Sequence, residues 1–122
     1  MLLNNFFFID QLQVEDNNCI ANIRIEASHP ILKGHFPQQP VVPGVCMLEM
    51  QKEILQSALG SSFMLSSASI VKFLTMFTPD QTTIAQYAIQ FQHTEHGIEV
   101  TSTLTHGEQV FLKFKGVYFI RP

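Results

Sequence analysis

The segment PGVCMLEMQKEILQSALG, residues 43–60, constrains the fold more than any other part of the chain. At about 100° per residue, Val45, Cys46, Met47, Leu48, Met50, Ile54, Leu55, Ala58 and Leu59 cover well over half of a helix circumference. Glu49, Lys52, Glu53 and Gln56 share the narrow stripe that remains. Pro43 suits the first helical position, where its missing N–H costs nothing, and Gly60 suits the position just past the end. A surface helix is apolar over a much smaller arc. The spacing therefore predicts a long helix enclosed on most sides by other elements.

Those elements read as strands. Ile23, Ile25 and Ala27 alternate with polar neighbours in NIRIEA, as do Tyr87, Ile89 and Phe91 in YAIQFQ. Ile98, Val100, Ser102 and Leu104 repeat the period, and VFLKFKGVYF keeps Lys113 and Lys115 on one face. A period of two marks half-buried strands of an antiparallel sheet. TEHG at 94–97 and THGE at 105–108 supply glycine for turns that need a positive φ, and TPDQ at 78–81 makes another break. Two strands, one long helix and four more strands make an α+β domain in which the sheet curls around the helix. At 122 residues there is room for one domain, residues 1–122, and one core. A domain this small leaves apolar surface that self-association would cover.

Charge narrows the partners. The net charge is −3 and the seven Lys and Arg do not cluster, so no phosphate-neutralising face exists for nucleic acid. The apolar N-terminus MLLNNFFFIDQ lacks a basic region and is broken by Asn4, Asn5 and Asp10; it reads as a first strand. No apolar run reaches membrane-spanning length. Cys19 and Cys46 sit among apolar neighbours without metal-ligand spacing, as reduced core thiols of a cytoplasmic protein do.

The chemistry concentrates in GHFPQQPVVPGVCMLE, residues 34–49. Either this is an ordinary loop leading into an ordinary helix, or loop and helix jointly present a base, His35, and an acid, Glu49. The ordinary reading of Glu49 is a charge favoured by the helix macrodipole and paired with Lys52 at i+3, worth about 0.2–0.5 kcal/mol. Its i+4 neighbour Glu53 is a like charge, which makes the stripe a poor decoration. His29 precedes a proline and marks a turn, while His93, His96 and His106 fall in or beside hairpin turns. None shows metal-site spacing, and no phosphate loop, nucleophile elbow or dinucleotide fingerprint occurs.

Over HPILKGHFPQQPVVPGVCMLE the chain resembles the β-hydroxyacyl-acyl carrier protein dehydratases, the shorter, non-isomerising kind of bacterial fatty acid synthesis. Pro30, Gly34, His35, Phe36, Pro37, Pro40, Val41, Pro43, Gly44, Val45, Leu48 and Glu49 fall into that motif without a gap. Lys72, Phe73, Pro79 and Asp80 in VKFLTMFTPDQ match a later strand, so the resemblance spans nearly the whole chain. It implies a hot-dog fold and a homodimer, with further assembly common. Each active site would use His35 of one subunit and Glu49 of the other to remove water from a 3-hydroxyacyl thioester. The product would be the trans-2-enoyl thioester, the substrate's carrier an acyl carrier protein, and no cofactor or metal would be required.

The physics suits that reaction. A base near neutral pKa is needed for the proton beside the thioester carbonyl, and a protonated carboxyl for the departing hydroxyl. Burial of Glu49 in an apolar tunnel would keep its proton at neutral pH. The free N–H groups at the helix start, Gly44 above all, would meet the developing oxyanion, and Phe36, Val45 and Phe73 complete the expected substrate wall. Several positions depart from the family pattern: Gln38, Gln39, Leu74 and Thr75 replace the glycine and basic residues, Met50 and Lys52 replace small residues, Glu53 stands in place of a Gln, and the Gly before Asp80 is absent. These point to a divergent member serving a specialised acyl or polyene pathway. An acyl thioesterase on the same fold would instead need a water-activating carboxylate and no histidine base. A non-catalytic acyl-binding or partner subunit is the third reading.

Overall fold

The computed structural model describes residues 1–35 and 39–122, the side chains of Gly34 and His35 excepted. Six strands and two helices follow in the order β1 (Phe7–Glu15), β2 (Asn18–Ile25), α1 (Ile31–His35), α2 (Gly44–Leu59), β3 (Phe63–Phe73), β4 (Ile84–His93), β5 (Gly97–His106) and β6 (Gln109–Ile120). All pair antiparallel in one sheet of order β1-β2-β4-β5-β6-β3. The sheet wraps α2. This is the hot-dog arrangement, with two strands before the long helix and four after it.

Alternation decides which face each strand turns inward. Cys19, Ala21, Ile23 and Ile25 of β2 are buried, as are Ala85, Tyr87, Ile89 and Phe91 of β4. On β5 and β6 the buried sets are Ile98, Val100, Ser102 and Leu104, and Leu112, Phe114 and Tyr118. Register stacks these sets: Ala21 lies opposite Tyr87, Tyr87 opposite Leu104, and Leu104 opposite Leu112. A one-residue slip anywhere would turn a whole set to solvent, so the pattern itself holds the register. Ala27, the last member of the first alternating run, lies beyond the end of β2 and is exposed.

Helix α2 starts one residue later than its proline suggested. Pro43 is the N-cap, with ψ 146°, and Gly44 is the first helical residue. Gly60 closes the helix in the left-handed region at φ 73°, its N–H donating to the Gln56 carbonyl, where a side chain would be strained. Gly107 turns the β5–β6 hairpin at φ 57°. Gly97, by contrast, has no positive φ; it is needed because a Cβ there would strike the Tyr118 carbonyl.

Two elements differ from the sequence reading. Residues 31–35, read as loop, form the single turn α1, where the N–H groups of Leu32 and Lys33 donate to the carbonyls of His29 and Pro30. One turn is too short to carry a period. Strand β3 shows no alternation at all: after Phe63 every residue is exposed. It is an edge strand, paired only with β6 among the described residues.

Candidate active site

The middle of α2 is fixed by polar bonds inside the core. The Tyr87 hydroxyl donates to the Met47 carbonyl at 2.7 Å. The amide of Gln51, itself fully buried, donates to the Tyr118 hydroxyl at 3.0 Å and accepts from the Ser102 hydroxyl. These bonds tie the helix to β4, β5 and β6 and fix its rotation. Gln51 is a residue sequence reasoning passed over: a polar side chain on the wide apolar arc was the available signal. Burial pushes both tyrosines above their ordinary value, well above it for Tyr87.

With the rotation fixed, Glu49 reaches the surface at the wall of a cleft of about 340 Å³. Val45, Leu48 and Lys52 line the same wall, Phe63, Met64, Leu65, Tyr118 and Arg121 the other. That volume is at the lower end of small-molecule sites. Val45 was expected on the buried arc. It is instead 74% exposed, although Cys46 and Met47 beside it are buried. Glu49 and Lys52 form the i,i+3 ion pair, 3.1 Å apart.

Glu53 overturns the picture of a solvated stripe. It is 1% exposed, and its two oxygens accept the backbone N–H groups of Leu3 at 2.8 Å and Leu2 at 3.0 Å. The N-terminal segment thus lies over the helix where the wheel left it bare. One turn earlier on the same face stands Glu49. Burial first, and then the neighbouring Glu49 carboxyl, push Glu53 above the ordinary glutamate value, against the opposing pull of the Leu2 and Leu3 N–H groups. For Glu49 burial acts upward too, but the neighbouring Glu53 and Lys52 side chains outweigh it and hold the carboxyl below its ordinary value. Burial alone therefore does not keep Glu49 protonated, because a neighbouring ammonium and a neighbouring acid both favour its charged form.

Gly44 and Phe73 meet elsewhere. A Cβ on Gly44 would come within 2.6 Å of the Phe73 ring, so the absent side chain is what lets the ring lie against the helix start. Both line a second cleft of about 300 Å³ with Val41, Pro43, Met47, Leu74 and Met76. The N–H groups of Cys46 and Met47 already donate to Pro43, whereas those of Gly44 and Val45 precede the first helical bond. Within one chain, then, the expected residues fall into two clefts: Glu49 with Val45, and Gly44 with Phe73. His35 is the last residue of α1; its side chain, and Phe36 altogether, lie outside the described residues. Cys46 is buried, and burial followed by the Glu49 charge pushes its thiol up, as befits a core residue. Among the described residues no three His, Cys, Asp or Glu side chains come together as a metal site would require, and no helix is long and apolar enough to cross a membrane.

The model of the ApeI-like family, described as ApeI dehydratase, matches residues 11–113. The chain belongs to the ApeI-like family. The ApeI-like match runs from β1 into β6 and contains both His35 and Glu49. A 3-hydroxyacyl-acyl-carrier-protein dehydratase FabZ of Rickettsia akari is 30% identical over 99 residues, covering 73% of this chain and 68% of that protein. The FabZ of Streptococcus mutans is 42% identical over 38 residues, 31% of this chain and 27% of that one. The chain spans 60% of the FabZ of Rickettsia typhi. Among solved structures, the dehydratase heterocomplex ApeI:P from Xenorhabdus doucetiae contains a chain with the same fold. It aligns at TM-score 0.74 and 19% identity, covering 92% of this chain and 96% of that one. The fold and the dehydratase kinship of this ApeI-like chain thus agree with the resemblance in its motif.

Proposed function

We propose that this chain is a 3-hydroxyacyl thioester dehydratase acting on a carrier-linked acyl group in the cytoplasm. The observation that carries the reading is the position of Glu49. The acid of the gapless His35–Glu49 motif stands on the wall of an open cleft, in a chain whose family is one of dehydratases. His35 takes the proton next to the thioester carbonyl, Glu49 protonates the departing hydroxyl, and the backbone N–H groups of Gly44 and Val45 receive the charge that builds on the carbonyl oxygen.

The separation of Glu49 and Gly44 into two clefts of one chain supports a site shared between chains. Edge strand β3 exposes Met64, Leu65, Ile70, Val71 and Phe73, with Lys72 its single charged residue. An apolar edge this long is a template for pairing with another strand. In the proposed homodimer β3 pairs with β3 of a second copy, and the exposed apolar edge is what supports that arrangement. Phe73, half exposed on that edge, would then border the acyl tunnel of the assembled site.

The decisive assay offers the purified protein a 3-hydroxyacyl thioester, or the enoyl product, and follows the absorbance of the conjugated enoyl thioester. Turnover that disappears in His35→Ala and Glu49→Gln is the expected result. Release of free thiol would replace the reading by a thioesterase. A second reading, a subunit that works only beside a non-identical hot-dog partner, is favoured by the departures at Gln39, Leu74 and Thr75, all exposed. The Xenorhabdus relative is itself described as part of a dehydratase heterocomplex. Binding of the thioester without turnover by the chain alone would select it.

A further inference from the structure

Residues 2–7 are bonded at one end to the helix that carries Glu49 and at the other to the approach to His35. The segment is a turn closed on itself. The N–H groups of Phe6, Asn5 and Phe7 all donate to the Leu2 carbonyl, at 2.7, 3.1 and 3.2 Å. Asn4 takes the left-handed φ of 67° that Asn tolerates better than most residues. Phe6 and Phe7 are fully buried, so the turn is pinned to the core. On one side Leu2 and Leu3 donate their N–H groups to the two oxygens of Glu53. On the other, the Phe6 carbonyl accepts the Glu26 N–H at 2.8 Å, and the Phe6 ring meets the His29 ring edge to face, their centroids 5.2 Å apart.

His29 completes the connection. Its Nδ1 accepts the N–H of Ile31, the first residue of α1, at 3.1 Å. A ring nitrogen that accepts carries no proton, so the neutral ring keeps its proton on Nε2 and donates it to the Asn5 side-chain oxygen. One nitrogen of His29 thus caps α1 while the other grips the turn. Helix α1 ends on His35. A helix of five residues has little stability of its own and depends on what holds its ends.

We propose that Glu53 and His29 are positioning residues which, through residues 2–7, hold α1 and the His35 it carries in a fixed place relative to α2. The proposal rests on the dehydratase reading. Helix α2 is the frame, since Gln51 and the Tyr87 bond to Met47 tie it to the sheet. Glu53 fastens the turn to that frame and uses both oxygens to do so. A glutamine there offers one acceptor oxygen and turns an N–H toward a backbone N–H. In the proposed homodimer this path runs inside each chain, from the acid of one site to the base of the other. Displacing a reacting group by about 1 Å costs on the order of a hundredfold in rate, so a loosened α1 is felt in turnover.

The test uses the full-length protein and two kinds of readout. Nitrogen-15 spectra of the imidazole rings at neutral pH, with His29 assigned, should show its proton on Nε2 and none on Nδ1. In the enoyl thioester assay, Glu53→Gln and His29→Phe should each lower kcat about tenfold or more, with KM within about twofold, since what is lost is the placing of the base. His29→Phe keeps a ring against Phe6 but neither hydrogen bond. His29→Asn keeps an acceptor for the Ile31 N–H and should recover part of the loss. The double variant Glu53→Gln, His29→Phe should be about as slow as the slower single one, because both changes break one path. A His29 proton found on Nδ1 in the wild type overturns the proposal even if every variant fails to fold, and leaves the dehydratase reading standing. Unchanged kcat in the single variants, fully multiplicative losses in the double, or no recovery in His29→Asn overturns it as well. A wild type that shows the Nε2 proton but no turnover sinks the dehydratase reading, and this positioning role with it.

Discussion

Strands β3 and β6 are hydrogen-bonded neighbours of nearly equal length, 11 and 12 residues, and both are rich in large apolar side chains. They have opposite fates. Leu112, Phe114 and Tyr118 of β6 are buried against α2 and β5. Opposite them in register, Phe73 and Val71 of β3 face Leu112 and Phe114 across the ladder yet stay exposed. The residues do not differ in kind; the surroundings do. Strand β6 has a neighbour on each side and the helix above it. Strand β3 has one neighbour among the described residues, and although α2 meets it at Phe63 and Phe73, every residue after Phe63 stays exposed. Side chains on an interior strand stabilise the chain itself, and those on an uncovered edge stabilise only an assembly.

The largest test of that contrast is truncation. Phe114→Ala should cost about 3–5 kcal/mol, through lost burial and the cavity left behind. Phe73→Ala should cost a dilute single chain less than about 1 kcal/mol, its ring being half exposed, with the remainder of its effect appearing only as concentration dependence. Urea melts at two protein concentrations separate the two. An equal, concentration-independent loss at Phe73 would place β3 in the monomer core.

Next in size is the edge itself. Val71→Lys should leave the circular dichroism spectrum unchanged, shift the protein to monomer in sedimentation, and lower dehydratase turnover about a hundredfold or more, as removing one member of an acid–base pair does. A fully active monomer would break the shared-site reading.

The seam between the strands comes third. A Cβ on Gly116 would approach the Ser67 carbonyl oxygen to 2.6 Å, a backbone atom that cannot swing away. Gly116→Ala should therefore destabilise by about 1–3 kcal/mol through overpacking, and amide exchange should rise on β3 before β5. Protection lost evenly across the sheet would deny that β3 is the separable element.

The smallest effects belong to Glu49 and Glu53 of α2. Glu53 is raised above its ordinary 4.5, so the folded chain holds that proton more tightly than the unfolded one. The stability it contributes is present below that value and declines as pH rises through the raised one. Glu49, held low, has the opposite slope: its contribution is present above 4.5 and lost on acidification. Glu53→Gln should flatten the fall of Tm between weakly acidic and weakly alkaline pH, and an unchanged slope would remove Glu53 as its source. Lys52→Ala should change stability by less than about 0.5 kcal/mol, the range of half-exposed helix pairs.

Much of this was legible beforehand wherever a short-range rule applied. The helix between Pro43 and Gly60, the strands containing Tyr87, Val100 and Phe114, and the His35–Glu49 motif all announce themselves by period, cap or spacing. Strand β3, one of the four expected after the helix, carries no period of its own because FMLSSASIVKF has no inward face to alternate with. Turn α1 escaped because five residues hold no period. Gly97 was assigned a turn conformation, when its need is room beside Tyr118, a residue twenty-one positions away.

The sequence by itself determined which segments become helix and strand, which side of most of them turns inward, and where the histidine and the glutamate of the motif stand in the chain. Period and capping are local properties, decided within a few residues. Only the tertiary structure decided that Glu53 is buried under the N-terminal segment, that Val45 stands in solvent, that Gln51 bonds into the core, and that Glu49 and Gly44 open into different clefts. A helical wheel fixes the direction a side chain leaves the helix but not what lies there. What lies there is set by contacts some fifty residues distant in the chain, such as Leu2 and Leu3 over Glu53, and those exist only once the sheet has closed around the helix.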